Sequence, residues 1–288
     1  MSAPPVLRFA PSPTGALHLG NALSALIGFE MSRALNGRFL VRIEDIDRLR
    51  CPRHLAEAAL ADLAWLGLTW EQPVRYQSEH FADYAAAAGR LAAMRLLYPC
   101  FATRAEIAAA ARTDDTDPDG SPLYPGIWRD APAEVVAQRK ARGEPCALRL
   151  DMRRAREVAR TRRPAPLTFT ALDDAMKPCT SPADPSRWGD VVIVRKDTPS
   201  SYHLSVVVDD ALQGITHVTR GLDLLAATDL HRLLQVLLDL PEPVYHHHRL
   251  LADETGRKLA KSAGDTSLAT LRAQGWSPAD VRRHVGLG

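Results

Sequence analysis

Cysteine is scarce in this 288-residue chain, and the four that occur, Cys51, Cys100, Cys146 and Cys179, are dispersed with no C-x-x-C pair. That excludes a four-cysteine zinc site and gives no disulfide framework. A charge excess is also lacking. Thirty-six Lys and Arg against 34 Asp and Glu leave a net charge of +2, too mild to announce a nucleic-acid partner, so any RNA contact must come from a local patch. The opening MSAPPVLRFAPSP has no basic start followed by an apolar run, and no apolar stretch is long enough to span a bilayer. A cytoplasmic, monomeric protein is the expectation. Internal repeats and low-complexity tails are missing too, while the 46% hydrophobic fraction is ample for a buried core.

What is present alternates. Val6 to Ala10 predicts a strand, Pro11 to Gly15 a breaker-rich loop, His18 to about Leu35 a helix, Arg38 to Ile46 a strand and Ala56 to Leu66 a helix. This order favours an α/β fold with a parallel, Rossmann-like sheet. Composition shifts near Tyr98. A short helix over Ala105 to Ala111, the polar loop TDDTDPDGSPLYPG, and strands at Cys146 to Leu150 and Leu167 to Ala171 suggest an inserted subdomain at 99–187. The catalytic domain would then comprise 1–98 and 188–288. Val191 to Val194 reads as a strand and Thr228 to Leu238 as an amphipathic helix. SYHLSVVVDDALQ is helix or strand by periodicity alone.

Two strings carry chemistry. In RFAPSPTGALHLGN, Arg8 to Asn21, a strand ends, a loop turns and a helix begins at His18. A helix start offers unpaired N–H groups and a positive dipole end suited to phosphate. Gly20 admits close approach of a nucleotide, and His18 can donate to a phosphate oxygen as its charge grows. Downstream, TGRKLAKS places Lys258 and Lys261 three apart after a glycine, a cationic loop able to close over a triphosphate.

Together these strings resemble the "HIGH" and "KMSKS" signatures of class I aminoacyl-tRNA synthetases, in the form used by the glutamyl branch. The segments FLVRIEDID, YQSEHF, YPCFATRAE, GDVVIVRKD, VVVDDALQGITHVTRGLDLL and VYHHHRLL extend the resemblance over residues 7–262. Only 26 residues follow Ser262, where full glutamyl-tRNA synthetases continue into a long anticodon-reading region. The chain is therefore similar to the truncated members of the branch, the glutamyl-Q tRNA(Asp) synthetases. The resemblance implies activation of L-glutamate with ATP and Mg2+ without tRNA, then transfer to the queuosine base of tRNA(Asp). It implies an ATP site at Pro11, His18, Gly20, Asn21, Lys258, Lys261 and Ser262, with His18, Lys258 and Lys261 catalytic. It implies a glutamate pocket of Arg8, Phe9, Ala10, Pro11, Ser12, Glu44, Tyr202 and Arg220. Two arginines and one glutamate complement a substrate with two carboxylates and one ammonium.

Some readings stay open. Glu44, Asp45 and Asp47 also fit a solvated strand end or a metal cluster. The arginine run that includes Arg153, Arg154 and Arg156 fits a solvated helix face as well as phosphate contacts to tRNA. His246, His247 and His248 cannot all aim at one ion on regular structure. Asn21 stands where the signature has its second histidine. The branch's zinc set, C-x-C then Y-x-x-x-C, is reduced to Cys100 and Tyr124, with Ala102 and Trp128 at the other positions. Two ligands do not close a tetrahedral site, so zinc is not expected, and Trp128 is expected to fill the space.

Overall fold

A computed structural model describes residues 3–112, 115–173, 175–251 and 266–288. Lys258, Lys261 and Ser262 lie outside the described residues. In chain order the elements are β1 (Val6–Phe9), α1 (Leu19–Ala34), β2 (Arg38–Ile43), α2 (Arg53–Trp65), β3 (Glu71–Tyr76), α3 (Phe81–Ala93), β4 (Leu97–Cys100), α4 (Arg104–Ala110) and α5 (Ala133–Ala141). There follow β5 (Ala147–Leu150), α6 (Met152–Arg162), β6 (Thr168–Leu172), β7 (Pro178–Pro182), β8 (Val192–Val194), α7 (Tyr202–Leu212), β9 (His217–Gly221), α8 (Ala227–Leu238), β10 (Val244–His248), α9 (Leu268–Ala273) and α10 (Pro278–His284). The ambiguous SYHLSVVVDDALQ segment is helical, as α7.

The main sheet has seven strands in the order β3-β2-β1-β9-β10-β6-β7. All neighbours are parallel except β6 and β7. Crossover helices cover its faces, as parallel strands require. Leu7, Phe9, Phe39, Val41 and Ile43 point to α1 and α2 in one core. The alternate positions, Arg8, Arg42 and Arg220, point the other way, toward α7 and α8. Gly28 lets α1 approach β9: a Cβ there would lie 2.7 Å from Thr219 Oγ1.

Strand pairing departs from the expected 99–187 insert. β6 and β7 fall inside that stretch yet extend the main sheet, β6 lying beside β10. β8 falls outside it yet joins β4 and β5 in a separate three-stranded antiparallel sheet. Strands of three to five residues carry no periodic signal that assigns them to a sheet. The amphipathic helix expected at Thr228 to Leu238 is present as α8, but its polar face is buried as well. Eleven of the twelve residues of α8 are buried, including Asp229, His231, Arg232 and Gln235. Their polar atoms bond inward: Arg232 Nε donates to the Thr168 carbonyl at 2.9 Å, and Gln235 Nε2 to Tyr245 Oη at 2.8 Å.

The arginine face is locked by carboxylates. Arg42, fully buried, donates to Asp210 at 2.8 Å and to Glu44 at 3.2 Å. Asp209, beside it on α7, accepts from Arg75, Gln77 and Tyr84 at 2.8, 2.8 and 2.9 Å. Removing one partner of a buried pair strands the other charge and costs about 3–5 kcal/mol. Arg42→Met should therefore lower the urea midpoint strongly. Arg38→Met, which breaks the half-exposed pair with Glu71, should lower stability by no more than about 1 kcal/mol. Equal shifts in the two variants would contradict this ranking.

Candidate active site

The carboxyl ends of β1, β2, β9 and β10 open into one cavity of about 640 Å3. Crevices at the carboxyl edge of an open α/β sheet are where such folds bind ligands. The cavity collects Arg8, Phe9, Ala10, Pro11, Ser12, His18, Gly20, Asn21, Glu44, Tyr202 and Arg220, every expected ATP and glutamate residue among the described ones. The backbone joins two of these segments, since Glu44 N donates to the Pro11 carbonyl at 2.9 Å.

His18 is the N-cap of α1. Its Nδ1 accepts from Gly20 N at 3.0 Å, while its own N–H donates to Asn21 Oδ1 at 3.2 Å, a capping box. Because Nδ1 accepts, the proton of the neutral ring sits on Nε2, the nitrogen able to donate to a phosphate. Asn21 thus has a structural task in place of the signature's second histidine. Gly20 gains a second reason to be glycine: a Cβ there would stand 2.9 Å from His18 Cε1.

The three arginines of the buried face differ in their partners. Arg8 is bidentate to Asp210, at 3.0 and 3.2 Å. Burial pushes the Asp210 carboxyl up, but Arg8 and Arg42 outweigh it and hold the group below its ordinary range. Glu44 is raised, chiefly by burial, with Arg42 and Arg8 opposing. Arg220 is 5% exposed and has no carboxylate partner among the described residues. It donates instead to His247 Nε2 at 3.2 Å, His231 Nδ1 at 3.2 Å and Thr228 Oγ1 at 2.6 Å. Burial, reinforced by the Arg220 charge, depresses all three histidines here: His203 to about 4, His247 to about 3 and His231 well below its ordinary value.

Sequence reasoning found Arg8, Glu44 and Arg220 and singled out His247 within its triplet without tying it to Arg220, but missed Asp210, Arg42, Thr228 and His231. The signal for Asp210 was visible, since VVVDDALQ puts two carboxylates inside an apolar run where they must have partners. Asp45 belongs to neither a metal cluster nor a solvated end. It accepts from Ser78 N at 2.8 Å and Ser78 Oγ at 2.7 Å, fixing the YQSEHF segment. Of the histidine triplet, His247 turns to Arg220 and His248 lines the cavity.

Leu251 lines the cavity, and Ser267 pairs with His18 across an isolated bridge. The described residues on both sides of the lysine string therefore touch the site.

The corner around Cys100, Tyr124 and Trp128 is packed on aromatic rings. Cys100 Sγ donates to Tyr124 Oη at 3.4 Å, and Tyr124 Oη also accepts from Trp128 N at 2.9 Å. Trp128 packs on Phe101 with ring centroids 5.0 Å apart, Arg139 lies 4.8 Å over Trp128, and Arg149 lies 3.8 Å over Tyr124. Ala102 and Trp128 offer no metal donor, so this set does not fit tetrahedral zinc.

On α6, Met152, Ala155 and Ala159 are buried. Arg153 and Arg154 stand on the exposed side, beside a cleft of about 410 Å3 that also takes in Arg95 and Arg129; Arg156 is half-buried. Arg149 and Arg162 are spent on carbonyls, those of Asp190 and Leu237, each at 2.6 Å.

Residues 6–287 match the catalytic domain of class I tRNA synthetases (E and Q), which defines the class. The chain is 44% identical to a glutamyl-Q tRNA(Asp) synthetase of Rhodobacter capsulatus, covering 98% of this chain and all of that one. It is 36% identical to glutamate–tRNA ligase 2 of Alkalilimnicola ehrlichii, over 96% of this chain and 57% of that one. A solved glutamate tRNA ligase of Elizabethkingia meningosepticum, in complex with its amino acid, superposes with a TM-score of 0.68 at 26% identity. It is covered to 52%, so the chain spans about half of its length. The chain belongs to the glutamyl-Q tRNA(Asp) synthetase family of class I aminoacyl-tRNA synthetases.

Two outcomes follow from the geometry. The depressed histidines are neutral in the fold but take up protons near pH 6.5 when unfolded, so their contribution is complete above that pH and is lost as pH falls toward 4. At pH 5 each costs about 2 kcal/mol. Melting temperature should fall between pH 6.5 and 4, and more shallowly in His203→Gln. A flat profile over that window would refute neutral burial. In Gly20→Ala, the new methyl should displace the His18 ring and lower kcat of adenylate formation at least tenfold with little change in melting temperature. Unchanged kcat would show that the ring does not act from this position.

Proposed function

We propose that the cavity binds L-glutamate beside ATP and forms glutamyl-adenylate without tRNA, and that the glutamyl group then passes to queuosine in tRNA(Asp). The observation that carries the amino-acid reading is Arg220, a buried guanidinium opening on the cavity without a carboxylate among the described residues, while Glu44 stands in the same cavity ready for an ammonium. A buried cation without an anionic partner is costly, and a substrate carboxylate removes that cost. The reacting α-carboxylate must keep its electron pair available, so the non-reacting side-chain carboxylate goes to Arg220. Arg8, already bidentate with Asp210, shapes the wall and adds field.

One α-carboxylate oxygen attacks the α-phosphorus in line. The new O–P bond forms as the bond to the bridging oxygen of pyrophosphate breaks, and pyrophosphate leaves with those electrons. His18 Nε2–H and the positive end of α1 stabilise the growing phosphate charge; Lys258 and Lys261 are proposed to do the same for the leaving group. A divalent cation enters with the nucleotide as part of the substrate. Arg153, Arg154 and Arg156 are the proposed tRNA contacts, and the first two flank the cleft on α6. Acceptor choice rests on likeness to glutamyl-Q tRNA(Asp) synthetases over the whole of one relative's length.

The test is ATP–pyrophosphate exchange with glutamate in the absence of tRNA. Exchange should depend on glutamate, and Arg220→Ala should lower kcat/KM by about 30-fold or more, as truncation of a buried charged partner costs at least ~2 kcal/mol. Mass spectrometry of nucleosides from tRNA(Asp) should then show glutamyl-queuosine. Exchange indifferent to glutamate, or glutamate recovered on the 3′ end of tRNA(Glu) alone, would overturn the reading.

A further inference from the structure

Arg220 is held on three sides by groups that only share hydrogen bonds with it. A guanidinium has five N–H donors and no acceptor, so each partner must present a lone pair. His231 Nδ1 and His247 Nε2 are therefore unprotonated, which puts the His231 proton on Nε2 and the His247 proton on Nδ1. His231 Nε2 lies 3.2 Å from His203 Nδ1, so the second imidazole donates onward to the third. Thr228 Oγ1 accepts from Arg220 and lies 3.1 Å from His247 Nε2. The Tyr245 ring covers the guanidinium at 5.3 Å and stacks on His247 with planes 5° apart. The buried carboxylates nearby are engaged elsewhere: Asp210 by Arg8 and Arg42, Glu44 by Arg42, and Asp209 by Arg75.

We propose that His231 and His247 are positioning residues that set the pocket's preference for glutamate over glutamine, because they fix Arg220 without neutralising it. This rests on the glutamate reading above and adds the origin of its selectivity. Asp or Glu at either position would orient the guanidinium equally well, but would spend its charge inside the protein. The site would then bind a neutral amide about as readily as a carboxylate. Neutral acceptors leave the full positive charge for the substrate, and a carboxylate then adds Coulomb attraction to the hydrogen bonds that a neutral amide could also accept. The depressed protonation of both imidazoles, driven by burial and then by Arg220 itself, keeps them uncharged at neutral pH.

The experiment compares kcat/KM for glutamate and for glutamine in tRNA-independent pyrophosphate exchange, on the full chain. His231→Asn retains a neutral acceptor and should keep the wild-type ratio within about threefold. His231→Asp should lower the glutamate-to-glutamine ratio at least tenfold, through a higher KM for glutamate with kcat little changed. His247→Asp makes the same change on the other side of the guanidinium and serves if the first variant does not fold. The proposal is overturned if a folded Asp variant keeps the wild-type ratio, if Asn loses as much selectivity as Asp, or if the wild type does not distinguish the two amino acids. Absence of any glutamate-dependent exchange in the wild type would instead defeat the pocket's assignment.

Discussion

Three arginines on one face of a buried sheet are the constraint around which this molecule is arranged. Arg8, Arg42 and Arg220 come from three different strands and share a face because side chains alternate along a strand. Guanidinium groups at this depth demand compensation, and α7 supplies it with Asp209 and Asp210, drawn into the interior of an otherwise apolar helix. The result joins β1, β2 and α7 in one ionic lattice directly behind the cavity floor. Within that lattice Arg8 and Arg42 spend their charge on carboxylates of the protein itself. Because Arg220 is left outside it, the wall also has one unspent charge.

Much of this was legible beforehand, for definite reasons. The strand–loop–helix corner through His18 was readable because breakers, a helix start and a chemistry-bearing side chain coincide within a few residues. The complement of Arg8, Glu44 and Arg220 followed from resemblance and charge matching, and the fold places all three at one cavity. The supporting groups were not legible. Thr228, His231 and His247 sit on α8 and β10, and only the crossing of those elements brings them to Arg220. Sheet membership of β6, β7 and β8 was equally hidden, because pairing is a long-range choice that a short run of residues does not encode.

The corner around Cys100, Tyr124 and Trp128 is held by packing. Tyr98, Cys100, Ala102 and Tyr124 form a small apolar cluster with Ile107 and Trp128 against it. Arg139 and Arg149 lie over its rings, and Lys196 donates to the Phe101 and Ala102 carbonyls at 2.6 and 3.0 Å. Cations on aromatic faces and on carbonyls give this region its geometry, and Trp128 is part of that packing.

The contact between Gly20 and the ring of His18 reaches beyond local packing. Two letters of a sequence signature usually read as separate contributions to nucleotide binding are here a single mechanical unit, since the smallness of one is the seat of the other. Enlarging the glycine would press directly on the imidazole proposed as the phosphate donor, so the two positions constrain each other. The spacing of the signature is thus enforced from inside the protein, before any nucleotide arrives to select it.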